Sequence, residues 1–136
     1  MTLDPLLNAP APIKLHVAAI AVALVLAPVQ LALPKGTPRH RLVGWIWAAA
    51  MALACLSAFA ILDRPIPPRF GPLSWLHLLA IFTLVMVWRA VGAARRHDIA
   101  RHRATMIPLA LLALGVPLIF AFAVPGRIMF RTLFGG

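Results

Sequence analysis

The sequence predicts an all-α integral membrane protein: an up-down bundle of four helices, built from two similar helical hairpins, forming a single domain over residues 1–136. Three observations predict it. Of the 136 residues 62% are hydrophobic and only 12% charged, and the mean hydropathy is +0.94. A soluble domain of this size needs far more charge to cover its surface. The apolar residues also fall into four runs, each near the 20 or so residues that cross a bilayer. The basic residues lie almost entirely between those runs.

The first span is expected over 13–33. It follows a lead-in rich in proline (Pro5, Pro10, Pro12) and stops at Pro34-Lys35-Gly36, a strong helix breaker. The second is expected over 41–62, ending before Asp63-Arg64-Pro65-Ile66-Pro67-Pro68; the third over 73–94; the fourth over 104–124, ending at Pro125-Gly126-Arg127. Pro28, Pro108 and Pro117 fall inside spans, where each removes a backbone donor, and Pro117 is placed to bend the fourth. Gly44, Ala48 and Ala52 recur every fourth residue, as do Ala50, Ala54 and Ala58, and such faces let helices approach closely. Trp45, Trp47, Trp75 and Trp88 all read as an interfacial aromatic belt, and Arg89 as a side chain that snorkels to the headgroups.

Charge sets direction. Lys35, Arg39, Arg41, Arg89, Arg95, Arg96, Arg101 and Arg103 fall on one side, and Lys14, Arg64, Arg69, Arg127 and Arg131 on the other. The richer side is expected in the cytoplasm and both termini outside, in a bacterial cytoplasmic (inner) membrane. A net charge of +10 would suggest nucleic acid in a soluble chain. Here it reads as topology signal and contact with anionic lipid, and no nucleic-acid partner is expected. No basic residue precedes Lys14, so a cleaved signal peptide fits poorly and the first span is expected to stay. The single cysteine, Cys55, excludes an intrachain disulfide and a cysteine-rich metal site.

The two halves resemble each other. Leu15-His16-Val17-Ala18-Ala19-Ile20 opens span one and Leu76-His77-Leu78-Leu79-Ala80-Ile81 opens span three; Arg39-His40-Arg41 opens span two and Arg101-His102-Arg103 span four. The histidines are 24 residues apart in the first half and 25 in the second. In an up-down bundle spans one and three are diagonal, as are two and four. His16 and His77 therefore face each other across the axis at one end, and His40 and His102 at the other. Two imidazoles so placed can hold a planar macrocycle, and haem iron accepts axial histidine.

The expected cofactor is one or two b-type haems, with His16, His77, His40 and His102 as metal ligands. Arg39, Arg41, Arg101 and Arg103 would pair with propionates, and quinone or a larger redox complex would be the partner. Absence of CxxCH excludes a covalent c-type haem. The competing expectation is a non-catalytic accessory or assembly subunit of a larger membrane complex, its histidines interfacial. A stand-alone enzyme is not expected: no Ser/His/Asp set, HExxH motif or phosphate loop occurs. The three acids, Asp4, Asp63 and Asp98, lie outside the spans, which argues against proton pumping and against transport of a charged substrate.

Five segments in order carry a resemblance: His16; His40-Arg41-Leu42-Val43-Gly44-Trp45; Leu76-His77-Leu78-Leu79; the run from Ala94 through Arg95-Arg96-His97-Asp98 to Arg101-His102-Arg103, with Met106; and Pro125-Gly126-Arg127. Over roughly residues 13 to 127 the chain resembles a bacterial membrane family usually called domain of unknown function 2306. The resemblance implies a membrane location and a four-helix module that stands alone. Where that family usually has glycine before the loop aspartate, this chain has His97, which argues that His97 is not essential. The histidine layout also looks like that of cytochrome b-561-type bundles, a likeness of fold alone.

Overall fold

The computed structural model describes residues 1–61 and 69–135, with the side chains of Arg69 and Phe70 left aside. Asp63, Arg64 and the prolines after them, as well as the expected end of span two at Leu62, lie outside the described residues.

Four long helices carry the fold: α2 (Ala11–Ala32), α3 (Pro38–Ala58), α4 (Trp75–Arg95) and α5 (Ile99–Ala123). All four are long and apolar enough to cross a membrane. Two short helices flank them, α1 (Asp4–Leu7) and α6 (Ile128–Phe134). A two-residue hairpin, β1 (Arg69–Phe70) with β2 (Leu73–Ser74), turns at Gly71 and leads into α4. Helix α2 packs on α3, α3 on α4 and α4 on α5, while α5 touches α2 only lightly. This is the up-down order, with α2 diagonal to α4 and α3 to α5.

The distribution of side chains is that of a bundle in lipid. The buried positions are mostly small, among them Ala19, Ala23, Ala48, Ala54, Ala90, Ala93 and Ala113. Leu31, Leu53, Val85, Leu111 and Ile119 point outward. Lipid tails are as apolar as leucine, so helices gain by close backbone approach and leave the large residues outside. The one large aromatic in the middle is Trp47, 2% exposed, packed with Ala23, Met51, Val87, Leu109 and Leu114. This corrects the aromatic belt. Trp45 and Trp88 are exposed, but Trp47 is a core residue. Gly44 lets α2 and α3 meet at the other end, since a Cβ there would stand 2.9 Å from Gln30 Nε2.

Helices α3 and α5 begin earlier than expected because their caps lie in the loops. Thr37 Oγ1 accepts the His40 N–H at 3.2 Å, with Pro38 in the first turn. Asp98 Oδ1 accepts the Arg101 N–H at 3.1 Å. Arg39, His40, Arg101 and His102 are thus first-turn residues of α3 and α5.

Helix α4 stops in a Schellman arrangement: His97 N–H bonds Ala94 O at 3.1 Å and Asp98 N–H bonds Ala93 O at 2.9 Å. The geometry puts His97 at φ +59, the left-handed region that glycine enters freely. This explains the glycine that the resemblance places here. His97→Gly is expected to stabilise the bundle by about 1 kcal/mol, read as a raised melting temperature in detergent. An unchanged or lowered melting temperature would mean that His97 makes a compensating contact.

Candidate functional site

His16 lies in α2, one and a half turns from its start, and is partly buried. Its Nδ1 is 2.8 Å from Ala54 O and 3.1 Å from Ser57 Oγ, both on α3. Ser57 Oγ donates to the same carbonyl at 3.0 Å. A carbonyl can only accept, so the His16 proton sits on Nδ1 and Nε2 keeps its lone pair.

His77, in the first turn of α4, is built the opposite way. It is 5% exposed. The Ser74 backbone N–H donates to its Nδ1 at 3.0 Å, with Ser74 Oγ 3.1 Å away. An N–H can only donate, so the His77 proton sits on Nε2, which is buried without a partner. Phe59 lies tilted against the ring, centroids 5.4 Å apart.

His16 and His77 line one cavity of about 730 Å³, within the range of small-molecule sites. Ile20, Ala80, Thr83, Ala113, Pro117 and Phe120 supply walls. Pro117 has no N–H to give the Ala113 carbonyl, so that acceptor on the wall lacks its helical donor. The free thiol Cys55 also lines the space. Helices α1 and α6 pack together, with a bond from Thr2 N–H to Thr132 O at 3.1 Å. With their caps they add Asp4, Asn8, Arg127 and Arg131 to the lining of the cavity.

At the other end, the Gln30 amide donates to His40 O at 3.0 Å and to His40 Nε2 at 3.2 Å. The amide orientation follows from the carbonyl, and it leaves the His40 proton on Nδ1, buried and without a partner, as is Gln30 Oε1. His102 Nδ1–H donates to Ala90 O at 2.9 Å. His40 and His102 lie within electrostatic reach of one another. Each end therefore pairs one imidazole offering a lone pair (His16, His102) with one offering an N–H (His77, His40). This alternation cuts across the sequence repeat, which equates His16 with His77.

Arg39, Arg41, Arg101 and Arg103 are exposed, and neither of the two cavities described here is lined by them or by His40 and His102. Arg101 pairs loosely with Asp98, at 3.7 Å. The arginines that reach the histidine cavity are Arg127 and Arg131; in the sequence both count as topology signals, and Arg127 also closes the Pro125-Gly126-Arg127 segment of the resemblance. Their one signal toward the cavity was a spacing of four residues after a breaker. Among the described residues no group of three or more His, Cys, Asp or Glu could hold a metal ion.

A family model described as "Predicted membrane protein (DUF2306)" matches residues 13–123. No curated protein and no solved structure matches the chain.

Proposed function

Because the chain belongs to the DUF2306 family of predicted membrane proteins, we propose for it a role that needs no soluble domain: a small electron-transfer protein holding one b-type haem between His16 and His77. The observation that carries this reading is that the two rings, on diagonal helices, line the same cavity. His16 suits the role as it stands, since a ligating histidine usually gives its other N–H to a carbonyl or carboxylate. His77 would ligate through Nε2 only if its proton moved to Nδ1, which gives up the bond from the Ser74 N–H at 3.0 Å and leaves Ser74 Oγ, at 3.1 Å, to accept. Bound haem would supply one-electron chemistry. The protein's part is to fix both rings, exclude water with apolar walls, and offer Arg127 and Arg131 in the cavity lining to carboxylates.

The pair His40 and His102, with Arg39, Arg41, Arg101 and Arg103, would form a second haem site near the opposite leaflet. His40 Nε2 is held by Gln30, and a haem there would have to displace that amide. The arginine-rich end is proposed to face the bacterial cytoplasm, with both termini outside.

One observation favours a second reading. The partnerless Nε2–H of His77 and the Nε2 lone pair of His16 together match a quinone-type ligand with no proton moved. In the reduced form His77 would donate to one hydroxyl oxygen and His16 would accept from the other hydroxyl, whereas in the oxidised form only His77 would be matched, donating to a ring carbonyl.

The test is the visible spectrum of protein purified in mild detergent after expression with haem supplied, oxidised and then dithionite-reduced, together with solvent extraction of quinones. Sharp b-type bands at one haem per chain support the outer-site reading, and two per chain add the second site. A colourless protein carrying stoichiometric quinone moves the assignment to the second reading. A colourless protein with neither leaves an accessory subunit, packed against a larger membrane complex.

A further inference from the structure

A second cavity, about 670 Å³, runs along the outside of the bundle between α3 and α4. Its floor is small: Ala48, Ala49, Ala52 and Gly92. Trp45 and Trp88 stand beside it, both exposed. One end carries Arg95 and Arg96, with Arg89 roughly 9 Å back along α4, and all three are exposed. The Arg96 guanidinium lies over Gly92, 3.7 Å from where a Cβ would be. Among the described residues no carboxylate pairs with these three arginines, and the neighbouring Asp98 is met by Arg101.

The dimensions fit one leaflet. From Leu84 to Arg95 the α4 backbone rises roughly 16 Å at 1.5 Å per residue, and half of a hydrocarbon core is about 15 Å. Arg95 and Arg96 stand at the end where headgroups begin, Arg89 reaches toward it by extending its long side chain along the groove, and the alanine floor lies at the depth of acyl chains. A cluster of guanidiniums without counter-charge recognises phosphate and favours a headgroup of net negative charge. We propose that this groove binds one anionic phospholipid of the arginine-side leaflet. Its phosphate sits on Arg89, Arg95 and Arg96, and one acyl chain lies over Ala48, Ala49 and Ala52 between the two tryptophans. The site is independent of whatever occupies the histidine cavity.

Native mass spectrometry of the detergent-purified full chain, titrated with phosphatidylglycerol and separately with phosphatidylcholine, tests it. The expected result is one tightly retained phosphatidylglycerol per chain, at least tenfold preferred over phosphatidylcholine. The combined variant Arg89→Gln, Arg95→Gln, Arg96→Gln should remove that preference. Ala49→Phe, at an exposed position that tolerates bulk, should weaken both lipids at least fivefold while leaving the helical circular dichroism unchanged. Equal binding of the two lipids by the wild type would overturn the proposal, as would a triple variant that keeps the preference. Competition by glycerol phosphate as strong as by the whole lipid would also overturn it, because the acyl groove would then contribute nothing.

Discussion

His16→Ala combined with His77→Ala is expected to abolish cofactor retention while leaving the bundle folded. Both substitutions are mild for the fold. His16 gives one N–H to Ala54 O, which also takes a bond from Ser57 Oγ, so its loss should cost only about 1 kcal/mol. Removing His77 strands the Ser74 N–H and the face of Phe59. It also removes an Nε2–H that is buried without a partner, a burden of about 1–3 kcal/mol. For the ligand the change is total, since both ring nitrogens on the cavity are gone. Reduced-minus-oxidised absorbance per chain, and quinone per chain, should fall to the detection limit, with helical circular dichroism retained. Undiminished content of either cofactor in the double variant would show that the cavity is not its site. His77→Gln separates the two ligands. Glutamine keeps an N–H donor but has no imidazole lone pair, so haem should be lost and a hydrogen-bonded quinone kept.

The bundle was legible because lipid imposes it. Four runs of about 20 apolar residues, broken by Pro34-Lys35-Gly36 and by the arginine-rich turn before Asp98, leave few alternatives once every backbone polar group must be satisfied within a helix. That His16 and His77, which both line one cavity, come to one end of the bundle was legible through the repeat. Which way each helix faces was not. In a soluble helix an apolar stripe marks the inward side, but here both the core and the lipid are apolar, and size rather than polarity separates them. Trp47 illustrates the loss. Near a span end it reads as interfacial, yet α3 starts at Pro38 and the residue lies almost three turns in, turned to the axis. The proton positions were equally hidden. His16 is oriented by residues 38 and 41 positions away, and His40 by a glutamine whose fit depends on Gly44. The short helix α6, which holds Arg131 and is preceded by Arg127, is below the length at which periodicity says anything.

Packing by size also sets the largest expected loss of stability. Trp47→Ala should destabilise the bundle by about 3 kcal/mol, at the lower end of what buried tryptophan truncation costs. In a membrane the transfer of the side chain contributes little, because the alternative surroundings are apolar too. What remains is the void left among Ala23, Met51, Val87, Leu109 and Leu114, lined by side chains too short to close it. Trp47→Phe should cost under about 1 kcal/mol. Phenylalanine keeps most of the packed volume, and it deletes the Nε1–H that is buried without a partner, which offsets the smaller void. Reversible unfolding in mixed micelles, followed by circular dichroism, would measure both. If Trp47→Phe proves as damaging as Trp47→Ala, the indole N–H must have an acceptor in the folded protein. The nearest physical source would then be an ordered water or a bound molecule reaching the core from the histidine cavity, whose wall Met51 and Ala113 share with the Trp47 cluster.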